Sequence, residues 1–237
     1  MNPAAVLAAT PRWAAAYPTA QAGVLVVRGV SNPPEHPGQA ALEQRLRERY
    51  AGQDRAALRR DPVFQAYAAY YRTYKKTYHV QLQLEAVVFK GQPLPRASAL
   101  VTAMFMAELE HGLLTAGHDL ARVALPATLD AALGGETYVT LRGETATLKA
   151  GDMFIADQAG ILSAILSGPD QRTRLTPDTR AALFTVYGPP GLPRAAMAAH
   201  LDALAANVRA VAPEAEVALK ASLPEPEPAP GETPGRP

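Results

Sequence analysis

The chain has no cysteine. That absence excludes disulfides, thiolate zinc sites, iron–sulfur clusters and a cysteine nucleophile. It fits a reduced, cytoplasmic setting. Net charge is nearly absent too: 23 Lys+Arg stand against 22 Asp+Glu over 237 residues. A protein that coats long nucleic acid carries a larger basic excess. DNA is therefore not expected as a partner, and any phosphate-binding face must be local. No uninterrupted apolar run approaches the ~20 residues that a membrane-spanning helix needs. The opening "MNPAAVLAATPRW" lacks a positive n-region, and Pro11 breaks its short apolar run. It reads as an ordinary helix and not as a signal peptide. A cytoplasmic protein with no membrane partner is expected.

Marked enzyme signatures are missing as well. There is no G-x-x-x-x-G-K-[ST] loop, no G-x-G-x-x-G after a strand, no H-E-x-x-H and no G-x-S-x-G elbow. A site built from scattered residues is what these absences leave.

What is present sorts into helices first and short strands later. "AGVLVVRGV" (22–30) is a β-branched run and reads as a buried strand. "QAALEQRLRERYAG" (39–52) reads as a helix stopped by Gly52. Asp61 is a candidate N-cap with Pro62 at the first position of a second helix. "YHVQLQL" (78–84) alternates like a strand, with a helix entrance at "LEAVVFKG" as the competing reading. Residues 98–111 read as a helix closed by Gly112. From 123 to 188, strand candidates alternate with Gly, Pro and Asp turns, and 191–212 reads as an amphipathic helix. The expected fold is α+β: a mixed, largely antiparallel sheet packed against helices, with that C-terminal amphipathic helix. Residues 1–215 would form one domain. The Pro/Glu-rich tail 216–237 has almost nothing to bury and is expected to be disordered.

In "VTAMFMAELEHGLLTAGHDL" (101–120), Glu108 and His111 have the E-x-x-H spacing of carboxylate-bridged metal helices. Such a bundle needs a second helix of this kind and further bridging glutamates, which the chain lacks. Neither a metal nor a cofactor is expected. An ion pair at the helix end, with His111 favoured by the dipole there, is the plainer reading.

"YAAYYRTYKKTY" (67–78) interleaves tyrosines with Arg72, Lys75 and Lys76. Ring stacking beside positive charge is how single-stranded RNA is held, which makes Tyr71, Arg72, Tyr74, Lys75 and Lys76 a candidate RNA face. The alternative is a stripe packed on the core with hydroxyls at its rim.

Several further motifs fall in one order. Val101, Gly112, Asp119 and Leu120 share a spacing, and "LPATLDAALGGETYVTLRGE" carries Gly135, Glu136, Leu141, Gly143 and Glu144. "GDMFIADQAGI" ends a strand on Asp157, and "RTRLTPDTRAALFTVYG" carries Arg172, Thr173, Thr176, Asp178 and Thr179. Upstream lie "YRTYKK" and "LEAV", the latter containing Glu85. Over roughly residues 71–188 this order resembles the editing domain of the phenylalanyl-tRNA synthetase beta subunit, in the form of its free-standing bacterial relatives. The resemblance implies a mixed sheet and helices around a pocket, a helix entrance at 172–179, and tRNA or an aminoacyl moiety as partner.

Departures from the family pattern bear on mechanism. Met104 and Phe105 stand where the family has a Thr-Asn pair, and Ala116 stands where it has a histidine. The resemblance places Met104, Phe105, Ala116 and Glu136 at the substrate. No catalytic residue is fixed; His118, Asp119 and Glu85 are the polar candidates. A turn with a local hydrogen bond is the plain alternative for His118 and Asp119, and a cap or core hydrogen bond for Glu85. A second, hydrolytic site makes physical sense because one methylene or hydroxyl shifts binding by only ~1–3 kcal/mol. If a reaction exists, the resemblance implies hydrolysis of mischarged aminoacyl-tRNA in trans. Nothing resembles an ATP-dependent aminoacylation domain. The alternative is a non-catalytic RNA-binding or small-ligand-binding module that has lost the editing chemistry.

Overall fold

The computed structural model describes residues 1–95 and 97–224. In the N-terminal region it shows β1 (Leu7–Ala9), α1 (Pro11–Ala16), β2 (Gln21–Arg28), α2 (Gln39–Arg49) and α3 (Arg55–Arg60). Three helices follow: α4 (Pro62–Thr73), α5 (His79–Lys90) and α6 (Ala99–His111). The strand-rich part runs β3 (Thr115–Asp119), β4 (Ala127–Ala131), β5 (Thr137–Val139), β6 (Thr145–Thr147) and β7 (Met153–Asp157). It continues through β8 (Gly160–Ala164), β9 (Gly168–Pro169) and β10 (Ala181–Gly188) to α7 (Arg194–Val211) and β11 (Glu216–Leu223).

Local signals explain most boundaries. Asp61 caps α4, accepting from the Val63 N–H at 2.8 Å, with Pro62 at the first helical position. Gly112 ends α6 in the left-handed region at φ 72°. The expected N-terminal helix is instead divided. Thr10 caps α1 through the Trp13 N–H, and the residues before it are released to pair β1 in parallel with β4. The ambiguous 78–84 segment is helical. Helical spacing buries Val80, Leu84 and Val87 on one face, whereas the alternation of a strand would also have buried Leu82, which is 52% exposed. The "LEAV" segment therefore lies inside α5 and not at a helix start.

Two main sheets result. One is antiparallel in the order β11-β2-β10-β3; the other runs β1-β4-β7-β8-β9 with only β1 parallel to its neighbour. A separate ribbon pairs β5 with β6. Residues 216–223, expected in the tail, form β11 because β2 offers an open edge for antiparallel pairing. Residues 225–237 of that tail lie outside the described residues. α7 lies so close over β2 that a Cβ added at Gly23 would sit 2.6 Å from Met197 Sδ.

The tyrosines of α4 hold helices to sheets. Tyr67 stacks on Tyr78 with ring centroids 4.3 Å apart, and its hydroxyl bonds the Tyr187 carbonyl. Tyr78 donates to the Gly112 carbonyl at 2.9 Å, and Tyr71 to the Ile165 carbonyl at 2.7 Å. The Tyr70 hydroxyl donates to Asp152 at 2.9 Å and accepts from the Met153 N–H at 2.7 Å. Each ring is buried and each polar tip is satisfied.

Gly112 tests this framework. An alanine there would hold a strained backbone and place its Cβ 3.0 Å from Phe64. Gly112→Ala is expected to lower unfolding stability by at least ~1 kcal/mol in urea titration. An unchanged midpoint would show that the α6 terminus does not need the left-handed turn.

Candidate functional site

Between α6, β3 and the β8–β9 hairpin lies a cavity of about 410 Å³. Its walls are apolar: Val101, Met104 and Phe105 from α6, Leu114, Ala116 and Gly117 beside or within β3, and Ala164, Ile165 and Leu166 opposite. Its buried end is polar, with Glu108, Thr115, Ser163 and Tyr187. Its exposed end carries His79, Leu141 and Arg174. A ligand with an apolar body and a polar tip fits that gradient.

Glu108 is the unusual member. α6 is apolar on nearly every side, as a helix enclosed by other elements must be, so this carboxyl is carried inward with its neighbours. Among the described residues no cation lies beside it. Oε1 accepts from the Thr115 N–H at 2.7 Å, and burial raises the pKa to about 8 against that hydrogen bond. At neutral pH the group is therefore mainly an uncharged acid, able both to donate and to accept. Thr115 fixes a second group, since its Oγ1 lies 2.7 Å from His200 Nε2. Burial, then the neighbouring His111, pushes the His200 pKa down to about 3.

The E-x-x-H pair does not close. His111 instead sets its ring edge-on to His200 at 5.9 Å, and burial lowers its pKa. Glu110 takes the ion pair on this helix, 3.0 Å from Arg45. Among the described residues no three His, Asp or Glu side chains converge as a metal site.

The structure brings Met104, Phe105 and Ala116 to the cavity wall. Elsewhere it separates the candidates. His118 is fully buried with Nδ1 2.8 Å from Thr173 Oγ1, a hydroxyl that also bonds Asp170. Asp119 accepts from the Ala121 N–H at 3.1 Å and from Thr179 Oγ1 at 2.9 Å. Glu85 pairs with Arg55 at 3.2 Å and Gln81 at 3.0 Å on α5. Glu136 caps its own turn through the Leu133 and Gly134 N–H groups. None of these four lines the cavity.

The candidate RNA face also divides. Tyr71 is buried between Tyr70 and Tyr78 and has no ring face open to a base. Tyr74 is half-buried against Tyr70, while Arg72, Lys75 and Lys76 are exposed. The core-packed stripe describes Tyr67, Tyr70, Tyr71 and Tyr78.

The stretch 172–179 is not a helix entrance. Arg172 clasps Asp157 through bonds of 2.8 and 3.1 Å, and the Thr176 N–H donates to Thr179 Oγ1 at 2.9 Å. Side-chain hydroxyls and a guanidinium supply the partners that a helix would have supplied. Sequence reasoning missed the floor residues Thr115, Ser163 and Tyr187, which stand on different strands. Only Glu108 carried a signal, as a carboxylate on an apolar helix.

The sequence pattern of the B3/4 domain family matches residues 64–218, more than half of the chain. A solved N-terminal fragment of the phenylalanyl-tRNA synthetase beta-subunit from Pyrococcus horikoshii is similar at 12% identity and a TM-score of 0.49. The match covers 93% of this chain and 54% of that one. The chain thus spans about half the length of the solved chain it matches. No curated protein matches.

Glu108 makes a pH prediction. Its carboxyl rises from 4.5 as an isolated side chain to about 8 in the fold. The folded state therefore holds this proton more tightly. The associated stability is full below the unfolded pKa and is lost as pH rises through the folded one. Asp152, raised to about 7 chiefly by burial, adds a similar slope. Glu108→Gln keeps the shape and removes only the first contribution. Relative to wild type at about pH 5, the variant should gain on the order of a few kcal/mol by about pH 9 in urea unfolding. Parallel stability curves would place the Glu108 carboxyl in water.

Proposed function

The chain belongs to the B3/4 domain family, and on that premise we propose that its cavity binds the aminoacyl group of an aminoacyl-tRNA and hydrolyses the ester in trans. The observation that carries this reading is the set of buried polar groups beneath apolar walls, the uncharged Glu108 carboxyl among them. An amino-acid side chain enters between Met104, Phe105 and Ala116, and a hydroxyl at its tip meets Glu108. An aliphatic side chain of similar length leaves that carboxyl unpaired, which is where selectivity arises. An ammonium at the same point would instead have to draw Glu108 into its charged form.

The ester then lies at the exposed end, where water has access. Among the described residues His79 is the one imidazole bordering the cavity, with Nδ1 3.4 Å from the Tyr71 hydroxyl. In this reading His79 takes the proton of the attacking water and returns it to the ribose oxygen as the ester C–O bond breaks. Glu108 selects and does not react.

The test is a panel of mischarged tRNAs carrying tyrosine, serine, threonine, alanine or isoleucine. Hydroxyl-bearing species should be deacylated above the buffer rate. Glu108→Leu should cut their preference over aliphatic ones ~10-fold or more, whereas Glu108→Gln, which still donates and accepts, should keep it. His79→Ala should lower the rate ~100-fold while the panel still competes for binding. No deacylation above buffer across the panel removes the hydrolytic reading.

A further inference from the structure

At the C-terminal turn of α6 a second space opens, of about 400 Å³, bordered by the end of α2, the start of α4 and the start of α7. It shares no lining residue with the cavity: Glu108 turns to the cavity, whereas Glu110 and His111 border this pocket. Part of its wall is already committed. The Tyr50 hydroxyl is shared between the Leu109 and Glu110 carbonyls at 3.1 and 3.2 Å, and the Glu110 carboxylate is held by Arg45. Arg49, Asp61 and His111 differ. Arg49 and Asp61 are exposed, carry opposite charge and border one pocket, yet they form no ion pair with each other or, among the described residues, with any other group. Asp61 spends one oxygen on the Val63 N–H at 2.8 Å, and its second accepts nothing from the described residues. The His111 ring meets His200 edge-on at 5.9 Å and, among the described residues, has no hydrogen-bond partner. Burial first, and then the positive charge of Arg49, keeps that ring neutral. Beside these groups, Val63, Phe64 and Ala196 supply apolar surface.

We propose that this pocket binds a free apolar α-amino acid, its carboxylate against Arg49 and His111, its ammonium on Asp61 and its side chain against Val63, Phe64 and Ala196. Two opposite charges that border one space without meeting are complementary to a small ligand carrying both signs. A guanidinium fork takes a carboxylate through paired hydrogen bonds, and a neutral imidazole adds a donor. A plain carboxylate would face Asp61 uncompensated, and a plain amine would face Arg49 in the same way, so both are selected against. The site goes beyond the hydrolytic reading and does not depend on it, because the ligand is a free molecule and not an ester in the cavity.

The test titrates the full chain with L-leucine, N-acetyl-L-leucine and L-leucinamide, read by calorimetry and by the imidazole NMR signals of its five histidines. Leucine should bind saturably and move the His111 signal, which His111→Gln identifies. Each derivative should bind ~10-fold more weakly or worse, since each loses a charge-assisted hydrogen bond. The variants should then cross over. Arg49→Gln should weaken leucine and N-acetyl-leucine ~10-fold while leaving leucinamide within twofold. Asp61→Asn, which keeps the α4 cap, should weaken leucine ~10-fold while leaving N-acetyl-leucine within twofold. Phe105→Ala, at the cavity wall, should leave leucine affinity within twofold. Melting curves confirm that the variants fold. No saturable binding, equal affinity for either derivative, or a loss on Phe105→Ala as large as on Arg49→Gln overturns the site. Leucine binding with the crossed pattern, while no mischarged tRNA is deacylated, leaves this site standing and removes the hydrolytic reading alone.

Discussion

One buried carboxyl, with no counter-ion among the described residues, constrains the site. Glu108 lies buried against the Thr115 N–H, on a helix that has no solvent-facing side long enough to export it. Burial disfavours the charged form there, so the proton stays on near neutrality. An uncharged acid is a specific instrument. It meets a hydroxyl well, tolerates water, and is left unsatisfied by a methyl group. The apolar walls set the size of a ligand, and this carboxyl sets the chemistry of its tip.

The fold ties the walls together. Tyr67, Tyr70 and Tyr71 reach from α4 to backbone groups of β10, β7 and the end of β8, and Tyr78 bonds the carbonyl that closes α6. On the other side, Thr179 holds Asp119 and Thr173 holds His118, fixing β3 to the loop between β9 and β10. These bonds are buried and mutually dependent, and rigid walls of this kind give a cavity a defined shape. The same tyrosines that looked fit for stacking on bases are committed to this scaffold.

Legibility in the sequence followed the range of the interaction. Caps and stops such as Asp61, Pro62 and Gly112 act within a few residues, and they marked α4 and α6 accurately. Helix period against strand alternation at 78–84 turned on whether Leu82 was inside, which no local signal decides. β1 and β11 depend on edges offered by distant strands, so the segments that form them read as helix and tail. Motif residues were legible as a set, but their role was not. Arg172, Thr173 and Thr179 bond the framework, while the floor is assembled from α6, β3, β8 and β10.

The account therefore turns on where a ligand's polar tip comes to rest. The direct measurement is a crystal structure with a non-hydrolysable 3′-aminoacyl-adenosine analogue whose side chain bears a hydroxyl. Density for that hydroxyl within hydrogen-bond reach of Glu108, with the adenosine at the Arg174 end, is the predicted result. An analogue bound elsewhere, or seated with its side chain outward and Glu108 untouched, would contradict the central claim.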